Sequence, residues 1–302
     1  MTSRVRLNFL GTSGAIPTEK RNHSGILLTY EGENILVDCG EGIQRQFRKA
    51  KLNPCKITKI LITHWHGDHV LGLPGLFQTL ALSEYNKNLT VYGPKGTKKF
   101  IKNMIKTFIF VQRFPIKVVE ISKEGKFFEN SEFYLESRKM EHNTPCNAYC
   151  FVKKGERRID KTKLKKTGIS PGPLLQKLKQ GEEIIYNKKK FNPKDLTFKE
   201  EDLKVCFILD TRLNDGIVDF AKDSNVLVCE AAFEPGKEEI ANKHYHLTAS
   251  QAAEIAKKAN VKKLILTHIS QRYEKNVEEV LKQVNKIFKR SLIVSDKDII
   301  EV

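Results

Sequence analysis

Short apolar runs alternate with amphipathic stretches through the first half of the chain, and this pattern predicts strands that alternate with helices. The predicted strands are 5–10, 26–30, 34–38, 58–63, 89–93 and 116–122. Helices are predicted from Ile43, over 70–82, and from Pro94 to about Phe108. A strand–helix–strand repeat of this kind is typical of the α/β class, which we therefore expect here.

The second half repeats this alternation after a long interruption. From Phe133 the spacing is that of β-hairpins, and residues 153–203 are polar and rich in breakers, with one predicted helix at 173–180. The later predicted strands are 205–209, 226–229 and 264–267. Thr248 and Gln251 form a capping-box pattern before a helix at 249–258. We expect a single domain over 1–302 that carries 153–203 as an insertion.

The length and composition of the chain indicate a large hydrophobic core and argue against a membrane-spanning helix. The chain has 302 residues, of which 40% are apolar and 29% charged, as in ordinary globular proteins. No uncharged run approaches the ~18 residues of a spanning helix, and the start of the chain, with Arg4 and Arg6, has no secretory signal pattern. The cysteines include no C-x-x-C pair, so we expect reduced, mostly buried thiols in a cytoplasmic protein. They are Cys39, Cys55, Cys146, Cys150, Cys206 and Cys229.

Positive charge is concentrated in the insertion. The formal net charge of the chain is +17, and residues 153–194 hold 14 Lys and Arg against 4 Asp and Glu. Such a segment can bind a polyanion, or it can be a solvated, lysine-rich surface. Binding of a polyanion is favoured over a solvated surface if the chain also contains a site for phosphate chemistry.

Candidate metal ligands cluster where the predicted strand 58–63 meets the next helix. His64, His66, Asp68 and His69 form an H-x-H-x-D-H pattern. Imidazole nitrogens and carboxylate oxygens are ligands that zinc accepts, and this alternation lets two histidines face one ion while Asp68 and His69 face a second. The alternative is a polar capping cluster without metal.

Further ligand-type residues recur at or beyond the ends of predicted strands. They are Asp38, His142, Asp210, Glu230, His246 and His268. A single His or Asp at a strand end is more often a turn or cap residue, and Asp38 can equally cap a helix or orient a ligand. Open α/β sheets place their sites at the carboxyl ends of strands. The common placement therefore favours one site assembled from the whole chain.

These residues carry a family resemblance that extends over nearly the whole chain. The matching motifs are Phe9-Leu10-Gly11-Thr12, the loop 17–22, Val37-Asp38-Cys39-Gly40-Glu41, the H-x-H-x-D-H run, Pro171-Gly172-Pro173, Asp210-Thr211, Glu230-Ala231 and His246-Leu247-Thr248. The chain resembles the tRNase Z family of tRNA 3′-processing endoribonucleases, within the metallo-β-lactamase superfamily. The resemblance implies a four-layer αββα sandwich with 153–203 as a protruding basic, tRNA-binding arm.

The resemblance also implies a ligand set and catalytic roles. Two Zn²⁺ are implied per chain, one bound by His64, His66 and His142, the other by Asp68, His69 and His268, with Asp210 shared between them. Asp68 is implied as the general base. His246, oriented by Glu230, is implied as the acid that protonates the leaving 3′-oxygen.

The implied function is removal of the 3′ trailer from precursor tRNA by a homodimer, which leaves a 3′-hydroxyl on the tRNA and a 5′-phosphate on the trailer. Two alternatives stay open at this stage. One is a hydrolase of the same fold that acts on small phosphodiesters or esters, for which the basic insertion would have no use. The other is a non-catalytic, metal-containing RNA-binding protein, which would not need the His246 and Glu230 pair.

Overall fold

The computed structural model describes residues 4–109 and 112–302. Residues 1–3 and 110–111, which belong to the expected domain 1–302, lie outside the described residues. The chain divides into two compact units. The larger contains the described residues of Met1–Phe128, Leu135–Phe151 and Lys204–Val302, and the smaller contains Glu129–Tyr134 and Val152–Leu203.

Seven of the described strands form the first sheet, in the order β18-β1-β2-β3-β4-β5-β6. They are β1 (Arg6–Gly11), β2 (Gly25–Tyr30), β3 (Glu33–Val37), β4 (Lys59–Leu61), β5 (Leu89–Gly93), β6 (Ile116–Glu120) and β18 (Ile299–Glu301). Strands β1 to β3 pair antiparallel, as the predicted hairpin requires, whereas β3 to β6 pair parallel.

Another seven described strands form the second sheet, in the order β17-β16-β15-β14-β9-β8-β7. They are β7 (Gly125–Glu129), β8 (Phe133–Met140), β9 (Cys146–Lys153), β14 (Leu203–Ile208), β15 (Val226–Glu230), β16 (Leu264–Thr267) and β17 (Ser291–Ile293). Strands β14 to β17 are parallel, so the residues that follow them lie along one edge of the sheet.

Helices flank both sheets of the larger unit. They are α1 (Ile43–Lys49), α2 (Gly67–Val70), α3 (Leu73–Leu82), α4 (Thr97–Thr107), α8 (Gly216–Ala221), α9 (Glu238–Lys243), α10 (Ala249–Lys258) and α11 (Val277–Ile287), with 3₁₀ turns at Pro54–Lys56 and Gln271–Asn276. The buried apolar faces of α1 and α3 share one core cluster with the first sheet. Within residues 4–109 and 112–302, no helix is long and apolar enough to cross a bilayer.

The two sheets pack face to face. The Tyr149 hydroxyl on β9 donates a hydrogen bond of 2.7 Å to the carbonyl of Ile62, which follows β4. The rings of Tyr30 and Phe151 meet edge to face at 5.7 Å. The order of layers is therefore helix, sheet, sheet, helix, and the predicted αββα class is confirmed.

The helix predicted over 70–82 is interrupted in the structure. The chain forms α2 and α3 instead, with Gly72 between them. A Cβ atom at Gly72 would lie 2.1 Å from the carbonyl oxygen of Gly40, and the Gly72 amide donates to the carbonyl of Cys39. This close approach ties the start of α3 to the segment after β3, and only glycine permits it.

Three elements near the C-terminus were missed by sequence analysis. They are α11, β17 and β18. Strand β18 pairs antiparallel with β1 and so extends the first sheet, while β17 extends the second. Both strands have only three residues, which is too short for a periodic signal.

One cysteine pair corrects the prediction of reduced thiols. Cys150 on β9 and Cys206 on β14 form a disulfide, with their Cα atoms 4.2 Å apart on neighbouring strands. Their separation of 56 residues hid this proximity in the sequence. The remaining thiols, at Cys39, Cys55, Cys146 and Cys229, are free.

The smaller unit has its own strands, helices and core. It contains β10 (Arg157–Ile159), β11 (Ile184–Tyr186), β12 (Lys189–Phe191), β13 (Thr197–Lys199), α5 (Lys161–Lys165), α6 (Pro173–Gln180) and α7 (Pro193–Leu196). Strand β10 pairs with β13, and β11 pairs with β12. Ile169, Leu178, Ile184 and Leu196 are buried together. The bounds of α6 confirm the helix predicted at 173–180.

Candidate metal centre

The structure brings seven predicted ligand residues into two adjoining groups. His64 and His66 follow β4, Asp68 and His69 lie in α2, and Asp210 and His268 follow the parallel strands β14 and β16. His142 lies between β8 and β9. Four of these side chains are buried although they come from distant parts of the sequence, those of His64, His69, Asp210 and His268, and the other three are partly buried.

The first group consists of three imidazoles and one carboxylate. Nδ1 of His66 lies 3.0 Å from Nε2 of His64 and 3.1 Å from Nε2 of His142. Oδ2 of Asp210 lies 3.6 Å from Nε2 of His64. One ligand atom from each of these four residues lies within 4.8 Å of the others. Three nitrogens and one oxygen at this spacing match a tetrahedral zinc site.

The second group faces the other oxygen of the same carboxylate. Oδ1 of Asp210 lies 3.5 Å from Nε2 of His69 and 3.2 Å from Nε2 of His268. Oδ2 of Asp68 lies 3.3 Å from the His69 nitrogen and 3.4 Å from the His268 nitrogen. Asp210 therefore points one oxygen at each group, so its carboxylate could offer a donor to both.

Hydrogen bonds on the outer side of the imidazoles fix which nitrogen faces the centre. Nδ1 of His69 donates to Oδ2 of Asp38 over 2.6 Å, and Nδ1 of His142 donates to the carbonyl of Tyr245 over 3.1 Å. Asp38 also accepts from the amide and hydroxyl of Thr63. Because α1 begins only at Ile43, Asp38 does not cap it. Its contacts are those of a residue that orients a ligand.

The charge state of the imidazoles suits a cation. Burial lowers the pKa of His64, His66 and His142, so these rings are neutral and offer a lone pair at neutral pH. Burial also acts to lower the pKa of His69, but the carboxylates of Asp210 and Asp38 outweigh it and raise that pKa well above its ordinary value. The carboxylates thus attract positive charge to this point.

An unsatisfied buried oxygen supports the same assignment. In the part of the chain that the structure describes, Oδ1 of Asp210 is buried and has no hydrogen-bond partner. A buried carboxylate oxygen without a partner is costly unless a cation is close to it. The donor atoms and spacing of the seven residues therefore fit metal binding by these two groups.

Sequence analysis missed a backbone contact to Asp68. The Ala15 amide, in the β1–β2 connection, donates to Oδ2 of Asp68 over 2.9 Å. Nε2 of His23, which is buried, lies 3.2 Å from the Ala15 carbonyl and donates to it. The family motif at 17–22 lies in this connection, but no spacing rule shows which of its backbone groups reaches Asp68.

His246 lies beside the two groups and is held by Glu230. Nδ1 of His246 lies 2.9 Å from Oε2 of Glu230 and 4.0 Å from Oδ2 of Asp210. Glu230 is fully buried, and its other oxygen accepts from the amide of Thr211 over 2.7 Å. Burial acts to lower the pKa of His246, but Glu230 outweighs it and raises that pKa to about 9. The imidazole therefore carries a proton at neutral pH.

Known proteins place the chain in a family. A family model described as "Anti-Pycsar protein Apyc1" matches residues 5–107, about a third of the chain. A relative from Nanoarchaeum equitans named ribonuclease Z is 40% identical over 293 residues, which cover 97% of this chain and 92% of that protein. The chain belongs to the ribonuclease Z family.

Solved structures agree with the ribonuclease Z assignment. The short form of human tRNase Z is 28% identical to this chain, with a TM-score of 0.72 and a coverage of 98% of each chain. A metallo-β-lactamase-fold protein from Bacillus subtilis, YhfI, is 16% identical, with a TM-score of 0.72 over the full length of both chains. The second likeness shows the fold alone. The two together confirm the predicted metallo-β-lactamase sandwich.

Proposed function

We propose that this ribonuclease Z family member is a metal-dependent endoribonuclease that removes the 3′ trailer from precursor tRNA. The observation that carries the proposal is the 40% identity, over 97% of the chain, to a protein named ribonuclease Z. The buried His and Asp groups supply the ligands that a metal-dependent hydrolase needs.

We further propose that the metal is zinc and that each chain binds two ions. His64, His66 and His142 would hold one, Asp68, His69 and His268 the other, and Asp210 both. When bound, such a pair lowers the pKa of water and neutralises charge on the phosphoryl oxygens. Nitrogen-rich, buried donors favour zinc over magnesium or calcium, which prefer oxygen ligands.

We assign proton transfer to two side chains of the larger unit. Asp68 lies at the centre, its Oδ2 accepts a hydrogen bond from the Ala15 amide, and its carboxylate can accept the proton of the attacking water. His246 holds a proton beside Asp210 and can give it to the leaving 3′-oxygen, while Glu230 stabilises the charged imidazole. The two groups thus divide the roles of base and acid.

The chemistry of the cleaved ends tests the proposal. Because water attacks phosphorus directly, the 2′-hydroxyl is not used, so a 3′-extended tRNA should yield a 3′-hydroxyl on the tRNA and a 5′-phosphate on the trailer. End-group analysis of both products checks this. A 2′,3′-cyclic phosphate would refute attack by water. If the metal-loaded protein cut no precursor tRNA, the proposal that precursor tRNA is its substrate would be refuted.

We propose that the smaller unit binds tRNA. A cleft of about 1220 Å³ within this unit is lined by Lys161, Lys165, Lys179 and Arg158, together with apolar side chains such as Phe198. Lysine and arginine around a groove bind phosphates without reading sequence. This arrangement supports phosphate binding over a merely solvated, lysine-rich surface.

Neutralising this cleft should weaken binding of tRNA and spare bond breaking. We expect the triple substitution Lys161→Gln, Lys165→Gln and Lys179→Gln to raise KM for precursor tRNA roughly tenfold. It should also reduce the slope of log affinity against log salt by about 2 to 3. Hydrolysis of a small chromogenic phosphodiester should be unchanged.

The matched control removes the same charge from the larger unit, through Lys222→Gln, Lys257→Gln and Lys258→Gln, at exposed positions. Kinetics at several salt concentrations compare the two variants. Equal effects on KM and salt slope would show that net charge matters and the cleft does not. Equal loss of both activities in the cleft variant would place the smaller unit in the catalytic machinery.

We propose that the protein is a homodimer. Pro74, Gln78 and Leu82 recur at intervals of four along α3 and so share one face of that helix, and Leu82 is 78% exposed. Phe108, after α4, is 47% exposed and lines a cleft with Pro74 and Gln78. Exposed apolar side chains grouped in this way are typical of an interface. Sedimentation at twice the chain mass of 34.6 kDa would support the dimer, and sedimentation at that mass would refute it.

We also propose a cytoplasmic location, because the proposed substrate is an RNA precursor found inside cells. A disulfide such as Cys150–Cys206 is unusual in a reducing compartment, although intracellular proteins of hyperthermophiles contain many. Cell fractionation followed by detection of the protein tests the location, and recovery of the protein outside the cell would contradict it.

A further inference from the structure

Four rings form a column that leads from the metal centre to the protein surface. His268 and His246 are stacked with centroids 5.6 Å apart and planes inclined by 27°. The Phe233 ring lies 6.1 Å beyond His246. His244 stacks on Phe233 at 6.1 Å, with its plane inclined by only 18°. The inner two rings belong to His268, a proposed metal ligand, and to His246, the proposed acid. The outer two rings, those of Phe233 and His244, have no role in the proposed bond cleavage.

The column has a buried inner end and an exposed outer end. His268 is 1% exposed and Phe233 7%, whereas His246 is partly exposed and His244 is exposed. All four line one cavity of about 630 Å³, which also reaches Asp68 and His66. The outermost ring therefore stacks on Phe233 and belongs to an exposed residue that lines the cavity.

The backbone holds His244 in place. Its amide donates to the carbonyls of Ile240 and Ala241 at the end of α9. Tyr245 then adopts a left-handed conformation, with φ of 59°, and the His246 amide donates back to the Ala241 carbonyl. This turn fixes His244 and His246 relative to each other, so the exposed ring is held at a set distance from the acid.

We propose that the exposed face of His244 stacks a nucleobase that adjoins the scissile phosphate. This inference rests on the proposed function. Unstacked bases at RNA ends are bound by aromatic side chains, histidine among them, and stacking tolerates any base because each has a flat face. Arg272 lines the same cavity, and a guanidinium can pair with a neighbouring phosphate. Histidine at position 244 would also be explained if its ring only covered Phe233. A contact with the base itself distinguishes the two roles.

The test combines His244→Ala with an abasic substrate. We expect the substitution to raise KM for precursor tRNA roughly tenfold, with the larger part of the effect in KM, and His244→Phe to restore it, because phenylalanine keeps the stacking face. Precursors that lack the base on the 5′ or the 3′ side of the cut are compared with the intact one. With wild-type protein, KM for one of the two abasic precursors should be higher than KM for the intact precursor by the same factor of roughly ten. With the His244→Ala variant, removal of that base should raise KM no further.

The proposal would be overturned if, for both abasic precursors, the effects of His244→Ala and of base removal on KM multiplied. Independent effects of that kind would show that the ring and the base do not interact. Failure of His244→Phe to restore KM, in a protein with unchanged circular dichroism and metal content, would do the same. Failure of the proposed function would have a different result, because wild-type protein would then cut no precursor tRNA. If wild-type protein cuts and His244→Ala has an unchanged KM, only the stacking role is refuted.

Discussion

Asp210→Ala is expected to lower the rate of precursor tRNA cleavage by roughly 10³-fold, since metal stabilisation of the transition state is worth several kcal/mol. The two oxygens of Asp210 face separate groups, so its loss would remove a donor from both of the proposed ion sites. The variant should also retain less than the two zinc ions expected of wild-type protein. Metal analysis by mass spectrometry, run beside the cleavage assay, checks both effects.

Two further variants separate the charge of Asp210 from its shape. Asp210→Asn keeps the volume and removes the charge, and it should lose metal almost as severely as the alanine variant. Asp215→Ala, at an exposed position five residues further on, is the control and should match wild-type protein. An Asp210→Ala protein that retains two ions and its activity would show that this carboxylate is not shared.

His246→Ala is expected to lower kcat on precursor tRNA by about 10²–10⁴-fold, the usual contribution of a general acid. The two zinc ions should remain bound, because the proposed ligands are intact. The substrate makes this test specific. An aryl phosphodiester with a good leaving group departs without a proton, so its hydrolysis should fall far less. Kinetics on both substrates, together with metal content, measure the contrast.

Glu230→Gln provides the matched variant for the acid. It preserves a hydrogen-bonding group beside Nδ1 of His246 but removes the buried charge that raises the pKa of the imidazole. We expect the same substrate contrast with a smaller loss. If His246→Ala loses zinc, or is equally impaired on both substrates, His246 belongs to the metal ligands or to the structural support.

Local spacing predicted the core of the candidate site, because its strongest signal lies within six residues, from His64 to His69. The positions of Asp210 and His268 could be inferred because parallel strands end at one edge of a sheet, which brings these two residues together. By contrast, nothing in the sequence shows that Asp210 turns one oxygen to each group. That depends on side-chain orientation, which the fold sets.

Contacts between distant segments account for several of the features that sequence analysis missed. The Cys150–Cys206 pair and the β18–β1 pairing join residues far apart in the chain, and neither has a local pattern. The break between α2 and α3 arises from the approach of Gly72 to Gly40, a neighbour only in the folded protein. The stacking of His244 on Phe233 is of the same kind. Periodicity predicts elements, but not the contacts between them.

The most direct test of metal-dependent processing of precursor tRNA is a cleavage assay before and after removal of metal. A 3′-extended tRNA is incubated with the purified protein, with protein stripped by a chelator, and with stripped protein reloaded with zinc. The proposed function predicts one cut that releases the trailer, no cut after stripping, and recovery on reloading. Undiminished cleavage by protein shown to be free of metal, or no cleavage by protein shown to hold two zinc ions, would contradict it.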